Sequence, residues 1–407
     1  MISRRTFLGS TATVLAAPVL LDLGVGARRP AGANTPATLA VNLVNNTGSG
    51  TVYGYVTGMA PDNGGAWMFL QADGHTPYYP PSPSAPQTPL GANCSIPLGG
   101  PGSSTAITVP HLVGGRIWFS IGAPLQFFVN PGPGIVMPSV ANPSDPNINI
   151  QWGFCELTYD SSQLYANISF VDFVSLPIAL SLQTSGGTQT VNGLPNGGLD
   201  RVCTALRGQA AADGSDWARL IQTDGNGQNL RAVSPNTGGS PLFAGYLDDY
   251  VNQCWSKYTS TDLTIDTQYA GYPTGQTVTG RVSGDTLTFP GVGSFGKPST
   301  YAIFNCSTAP FTTANDEMGN LSARLAAALN RTTLLNNANQ PDGENAANFY
   351  TQPRTNHYAR ILHQNTAGGL GYAFPYDDVH ASGGTDVEGK VQDGNPGTFT
   401  IAVGSPH

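Results

Sequence analysis

The hydrophobic pattern of the chain changes period twice. From Leu39 to about Leu182 apolar residues recur in short alternating runs. Leu39, Val41 and Leu43 interleave with Ala40, Asn42 and Val44; Asn45, Asn46, Thr47 and Gly48 then supply turn chemistry; and Val52, Gly54 and Val56 resume the alternation against Tyr53 and Tyr55. A period of two sends successive side chains to opposite faces of a half-buried strand. Similar runs lie at Arg116–Ser120 and Gln126–Val129, and the proline-rich stretches Pro77–Pro89 and Pro131–Pro146 fall between strands, as long surface loops do. This segment is predicted to be an all-β sandwich or barrel.

From about Gly197 the spacing becomes helical. Leu199–Ala212, Ala244–Tyr258, Asn315–Leu335 and Glu344–Gln364 carry apolar residues three and four apart, for example Leu321, Leu325, Ala328 and Leu329. Short strands at Leu263–Thr267 and Thr277–Val282 separate them, and after Gly368 the β pattern returns, ending in Thr398–Val403. The fold class expected is mainly β with an α/β insertion. Residues 34–190 together with 366–407 form one β-barrel or sandwich domain, residues 191–365 form a mixed α/β domain, and a wide groove lies between them. Clefts at domain junctions are common binding sites.

The first 33 residues read as an address. Ser3, Arg4, Arg5, Thr6, Phe7 and Leu8 form a twin-arginine signature, followed by an apolar run from Val14 to Leu21 and a small-residue site at Ala31, Gly32 and Ala33. The apolar run is too short to span a bilayer. Residues 1–33 are therefore expected to direct export of a folded bacterial protein.

Composition narrows the partners. Only 10% of the 407 residues are charged, against roughly 25% in ordinary soluble domains, and the net charge is −8. Without clustered Lys and Arg there is no footprint for a nucleic acid and no basic face for anionic lipid, so neither is expected as a partner, and the protein is expected to be a monomer. Five cysteines (Cys94, Cys155, Cys203, Cys254 and Cys306) allow at most two disulfides, and no C-x-x-C spacing supports a zinc ribbon or redox site. Gly291, Gly293 and Gly296 match G-x-G-x-x-G, but Pro298 follows Lys297 and no helical period meets a phosphate there. His357 and His363 are six apart and form no H-E-x-x-H, and no G-x-S-x-G exists. No metal or cofactor is expected.

The informative chemistry is a hairpin at Gln151–Leu180, QWGFCELTYDSSQLYANISFVDFVSLPIAL, turning near Ser161 and Ser162. Each limb carries an acid among apolar neighbours, Glu156 on the first and Asp172 on the second. Desolvation raises a carboxyl pKa and suits acid–base work. By parity Glu156, Thr158 and Asp160 share one face with Tyr165, Asn167 and Ser169 of the partner strand. Asp172 has the opposite parity, so a β-bulge between Ser169 and Asp172 is expected to turn it onto the cleft. The register leans towards the ~6.5–9.5 Å carboxyl separation of inverting glycosidases rather than the ~5 Å of retaining ones. The alternative is that both acids only satisfy backbone donors at a sheet edge.

This hairpin resembles glycoside hydrolase family 64, the thaumatin-like β-1,3-glucanases. The likeness continues through GGRIWFS (Gly114–Ser120), NPSDPN (Asn142–Asn147), VSGDTLTF (Val282–Phe289), NHYARILH (Asn356–His363) and GYAFPYDDV (Gly371–Val379). The resemblance implies a thaumatin-like barrel with an acidic cleft and metal-free, inverting endo-hydrolysis of β-1,3-glucan to short oligosaccharides. It also implies Glu156 as general acid, Asp172 as general base, and Thr158, Tyr165 and Ser169 along the sugar subsites. Asp160 stands where some relatives carry Asn, and Tyr165 where an indole would stack better on a sugar. Asp377 and Asp378 edge the cleft in this reading, or else belong to a turn that closes the barrel. The competing function is a non-catalytic β-glucan-binding or antifungal module of the same shape; the presence of both acids favours the enzyme.

Overall fold

A computed structural model of the protein describes residues 35–407; the export segment expected over residues 1–33 lies outside them. Two open sheets carry the β part. The five-stranded sheet runs in the order Gly187–Val191, Ile178–Thr184, Phe399–Gly404, Thr38–Asn46, Ser104–Pro110. Its central strand is the C-terminal one, parallel to Thr38–Asn46 and antiparallel to Ile178–Thr184. The spine of the second, eight-stranded sheet is Lys390–Asp393, Leu164–Asn167, Gln151–Tyr159, Leu112–Ile121, Val52–Ala60 and Ala66–Leu70. Both sheets end in edge strands, so the barrel alternative gives way to a sandwich. The sheets pack tightly enough that a Cβ on Gly54 would meet Leu43 Cδ1 at 2.8 Å.

Alternation sorts the large sheet into two faces with different roles. Val56, Ile117, Phe119, Cys155, Leu157 and Ala166 are buried on the face towards the smaller sheet. The opposite face begins with Tyr55, Trp118, Trp152 and Phe154, covered by Phe127 and Phe173; ring centroids lie 4.8 Å apart for Trp118 and Phe154 and 4.7 Å for Trp152 and Phe173. Each such ring withdraws ~150–250 Å² from water, so this layer anchors the outer face. The cover stops at Arg116 and Glu156, which are half-buried.

Residues 191–365 contribute the helices Gly198–Asp213, Asp248–Lys257, Glu317–Arg331 and His357–Asn365. They also supply all of a sheet ordered Gly293–Gly296, Thr286–Phe289, Thr277–Ser283, Leu263–Asp266, Asn339–Gln340. The helical spacing read over Glu344–Gln364 yields a regular helix only from His357. Pro353 lacks an N–H, and the Asn356 side chain accepts from Ala359 N to start the helix there. The two segments share a ladder: Phe173–Val174 pairs with Asn229–Val233 in a separate three-stranded sheet. All five cysteines are free and buried, so no disulfide forms. Among the described residues no helix is long and apolar enough to cross a membrane.

Candidate active site

The ladder lines up one row of side chains across four strands. Arg116 is paired with Glu156, Glu156 with Asn167, and Asn167 with Lys390. Such neighbours hold their Cβ atoms about 4.5–5.5 Å apart on one face. Arg116 donates from Nε and Nη2 to Glu156 Oε1 at 3.2 and 3.0 Å, and its guanidinium lies 4.1 Å from the Phe154 ring centroid and 5.4 Å from that of Trp118. The aromatic layer therefore holds the cation from below while Glu156 holds it from the side.

Asp172 reaches the same cation by a different route from the bulge expected. The ladder of Leu164–Asn167 stops, Ser169 makes one bridge to Tyr372, the chain bends at Val171 and Asp172, and Phe173–Val174 continues in the three-stranded sheet. Ser234 N donates to the Asp172 carbonyl at 2.9 Å and fixes the bend. The Asp172 carboxylate then sits 3.5 Å from Arg116 Nη2. The bulge occurs instead on the neighbouring strand. Val113 and Gly114 together oppose Thr158, with Gly114 in the left-handed region at φ 58°.

Both acids contact one guanidinium nitrogen, so Glu156 Oε1 and Asp172 Oδ2 are at most about 6.5 Å apart, at or below the short end of the ~6.5–9.5 Å range expected from the register. The side chains of Arg116, Glu156 and Asp172 retain 20%, 19% and 24% of their exposure, enough for a substrate to reach them. Burial raises the Asp172 pKa; Arg116 opposes this and Glu156 adds to it.

A family model described as Beta-1,3-glucanase, that of glycoside hydrolase family 64, matches residues 37–403. The chain belongs to glycoside hydrolase family 64. Two relatives named glucan endo-1,3-β-glucosidase, from Cellulosimicrobium cellulans and Arthrobacter sp. (strain YCWD3), are each 35% identical over 404 residues, 97% of this chain and 69% of theirs. The crystal structure of a laminaripentaose-producing β-1,3-glucanase in complex with laminaritetraose aligns with a TM-score of 0.79 at 38% identity, covering 92% of this chain and 100% of that one. A β-1,3-glucanase domain from Clostridium beijerinckii has the same fold, with a TM-score of 0.69 at 23% identity over 91% of this chain and 99% of that domain.

The remaining side chains of this family 64 hydrolase divide between the site face and the interior. Thr158 is half-buried beside Glu156, opposite Tyr165 in the ladder. Tyr165 and Asn167 are buried on that face, where the hydroxyl of one and Nδ2 of the other donate to Glu388 Oε1. Ser169 is buried, 7% exposed, at the bridge to Tyr372. Asp378 is half-buried and accepts from the Tyr372 hydroxyl at 3.2 Å.

Two expectations are corrected. Asp160 caps its own turn rather than facing the acids: its Oδ1 accepts from Ser162 N, Ser162 Oγ and Gln163 N at 2.7, 2.5 and 3.2 Å. Asp377 does not edge a cleft, because its side chain is fully buried against Arg331 Nη2 at 3.0 Å and His363 Nε2 at 2.9 Å. Arg116, Glu388 and Lys390 were missed. For Arg116 a signal existed, a lone cation in an apolar alternating run immediately after a Gly-Gly pair.

Proposed function

We propose that this chain is an exported, monomeric endo-β-1,3-glucanase that cleaves its polymer with inversion, Glu156 acting as general acid and Asp172 as general base. The observation that carries the reading is two carboxylates, one on a strand and one on the bend after the next strand, meeting on one guanidinium in a half-open site. Glu156 delivers its proton to the glycosidic oxygen as the bond to the anomeric carbon breaks. Asp172 takes a proton from the water that attacks that carbon from the opposite face. Burial that raises the Asp172 pKa makes it the stronger base once ionised. Thr158, Tyr165, Asn167, Ser169 and Asp378 are assigned to the glucan side of the site.

In this reading the sandwich of residues 34–190 and 366–407 is thaumatin-like, residues 191–365 form the facing domain, and the polymer lies in a wide groove between them. A surface poor in charge suits a neutral polysaccharide. Residues 1–33 supply the export address.

Glu156→Gln and Asp172→Asn are each expected to lower kcat on a linear β-1,3-glucan by about 10²–10⁴ while binding persists. The Glu156 variant should keep far more activity on a β-laminarioligosaccharyl fluoride, whose leaving group needs no proton. NMR of the first product should give the α-anomer; a β-anomer overturns the inverting assignment. Wild-type protein that binds glucan but releases no soluble sugar would establish the binding-module alternative.

A further inference from the structure

A second ionisable cluster adjoins the two acids. The Glu388 side chain is 1% exposed, and its Oε1 accepts from the Tyr165 hydroxyl and, at 2.9 Å, from Asn167 Nδ2. Lys390 Nζ lies 3.3 Å from Glu388 Oε2 and 2.8 Å from Asp386 Oδ2, and Glu388 N donates to Asp386 Oδ1 at 2.9 Å. Gly389 follows at φ 76°, where a Cβ would stand 3.0 Å from Gly371 N, so the backbone carrying Glu388 is wedged in place.

Asn167 links this cluster to the acids. In the ladder it stands between Lys390 and Glu156, and Glu388 lies two residues before Lys390, on the side away from Glu156. A planar carboxamide whose nitrogen is held by Glu388 turns its oxygen to the other side. That oxygen, Asn167 Oδ1, is buried and accepts no hydrogen bond. Buried acceptors are rarely left unpaired, and a carboxyl becomes a donor when it takes up a proton.

We propose that Glu388 is a positioning residue for the general acid: it anchors the Asn167 amide so that Oδ1 accepts a hydrogen bond from protonated Glu156 in the resting enzyme, holding the acid in its proton-bearing form until the glycosidic oxygen takes that proton in its place. The inference rests on the assignment of Glu156 above. It gives the acid a specific partner for its protonated form, set against Arg116, which holds the ionised form. The groups facing Glu156 are then Arg116, Asp172 and Asn167; those facing Glu388 are Tyr165, Asn167, Lys390, Asp386 and Asp378. Burial, reinforced by Asp378 and opposed by Lys390, raises the Glu388 pKa to about 7.

Glu388→Ala should lower kcat on laminarin about tenfold, with KM within about twofold. It should also move the alkaline limb of the kcat profile down by about one pH unit. Glu388→Gln, whose carbonyl still accepts from Tyr165 and Asn167, should restore most of kcat and the limb. Activity on the fluoride, which needs no acid, should fall much less. Asn167→Leu removes the acceptor with Glu388 intact and should reproduce the shifted limb, which keeps the test decisive if Glu388→Ala folds poorly. Equal losses on glucan and fluoride, or an unmoved limb in both variants, overturn the proposal. If Glu156→Gln hydrolyses glucan normally, the assignment of the acid fails instead, whatever Glu388 does.

Discussion

At the scale of single residues, Arg116 decides how two acids share one site. Two carboxylates at most about 6.5 Å apart repel by at least roughly 2.5 kcal/mol at an effective dielectric of 20, and one cation touching both offsets that repulsion. The guanidinium does this at little cost in mobility because it is stacked on Phe154 and Trp118. It also opposes the burial that raises Asp172. Arg116→Met should therefore raise the Asp172 pKa further, since loss of a nearby positive charge favours the neutral carboxyl. If Asp172 is the base, the acidic limb of the kcat/KM profile moves up by about one pH unit and activity falls most steeply below neutrality. Arg116→Lys should recover little, because an ammonium has neither the fork nor the stacking plane. A profile of unchanged shape in both variants would show that Arg116 does not govern Asp172.

At the scale of elements, the site depends on how strands bend and end. The extra residue at Gly114 lies two positions before Arg116, and the following Gly115 has its Cα so close to the next strand that an added Cβ would stand 3.0 Å from the Leu157 carbonyl oxygen. Gly115→Ala must push apart the strands that carry Arg116 and Glu156. It should cost about 1–3 kcal/mol, read as a lower midpoint in urea, with a fall in kcat that exceeds the loss of folded protein. A stable variant with normal kcat would mean that the strands yield without moving the row. The face shared by Glu156, Thr158, Tyr165 and Asn167 was legible in the sequence because period-two parity and a Ser-Ser turn are local signals. The position of Asp172 was legible only as a need for redirection. The device is a strand end whose next partner, Asn229–Val233, lies more than fifty residues away, and no local pattern reports that pairing. Asp377 misled for the same reason: in the sequence it is a surface-like acidic pair with Asp378, and only the arrival of Arg331 and His363 from two distant helices buries it.

At the scale of the whole molecule, that buried group ties the helices to the bend bearing Asp172. His363 presents Nδ1 to the Gly369 carbonyl at 2.7 Å and Nε2 to Asp377 Oδ2 at 2.9 Å. Both ring nitrogens face acceptors, so the ring is an imidazolium. Arg331 contacts Asp377 at 3.0 Å and Glu344 at 3.6 Å, which gives two cations and two anions in one buried cluster. The chain beside it, at Tyr372, accepts from Phe170 N at 2.8 Å, two residues before Asp172. The His363 pKa is raised: burial lowers it, but Asp377 and the two ring hydrogen bonds outweigh that. The Asp377 pKa is lowered: burial raises it, but His363 and Arg331 outweigh that. A raised histidine contributes stability that is complete below its unfolded value of about 6.5 and is lost as pH rises through the folded value. A depressed aspartate contributes stability that is present above about 3.9 and is lost as pH falls through its lower folded value. The cluster is therefore most stabilising between about pH 4 and pH 6.5. Asp377→Asn leaves buried His363 without a counter-ion and Arg331 with Glu344 alone, and should cost about 3–5 kcal/mol at pH 5.5. It should also flatten the decline in stability between pH 6 and pH 9, because His363 loses the partner that raised it. Since Asp377 is sealed from solvent, KM for glucan should hardly change in the folded variant. Denaturant titrations at pH 5.5 and pH 8.5, read with KM, separate the possibilities: an unchanged slope with pH would remove His363 from the account, and a large rise in KM would return Asp377 to the glucan-binding surface.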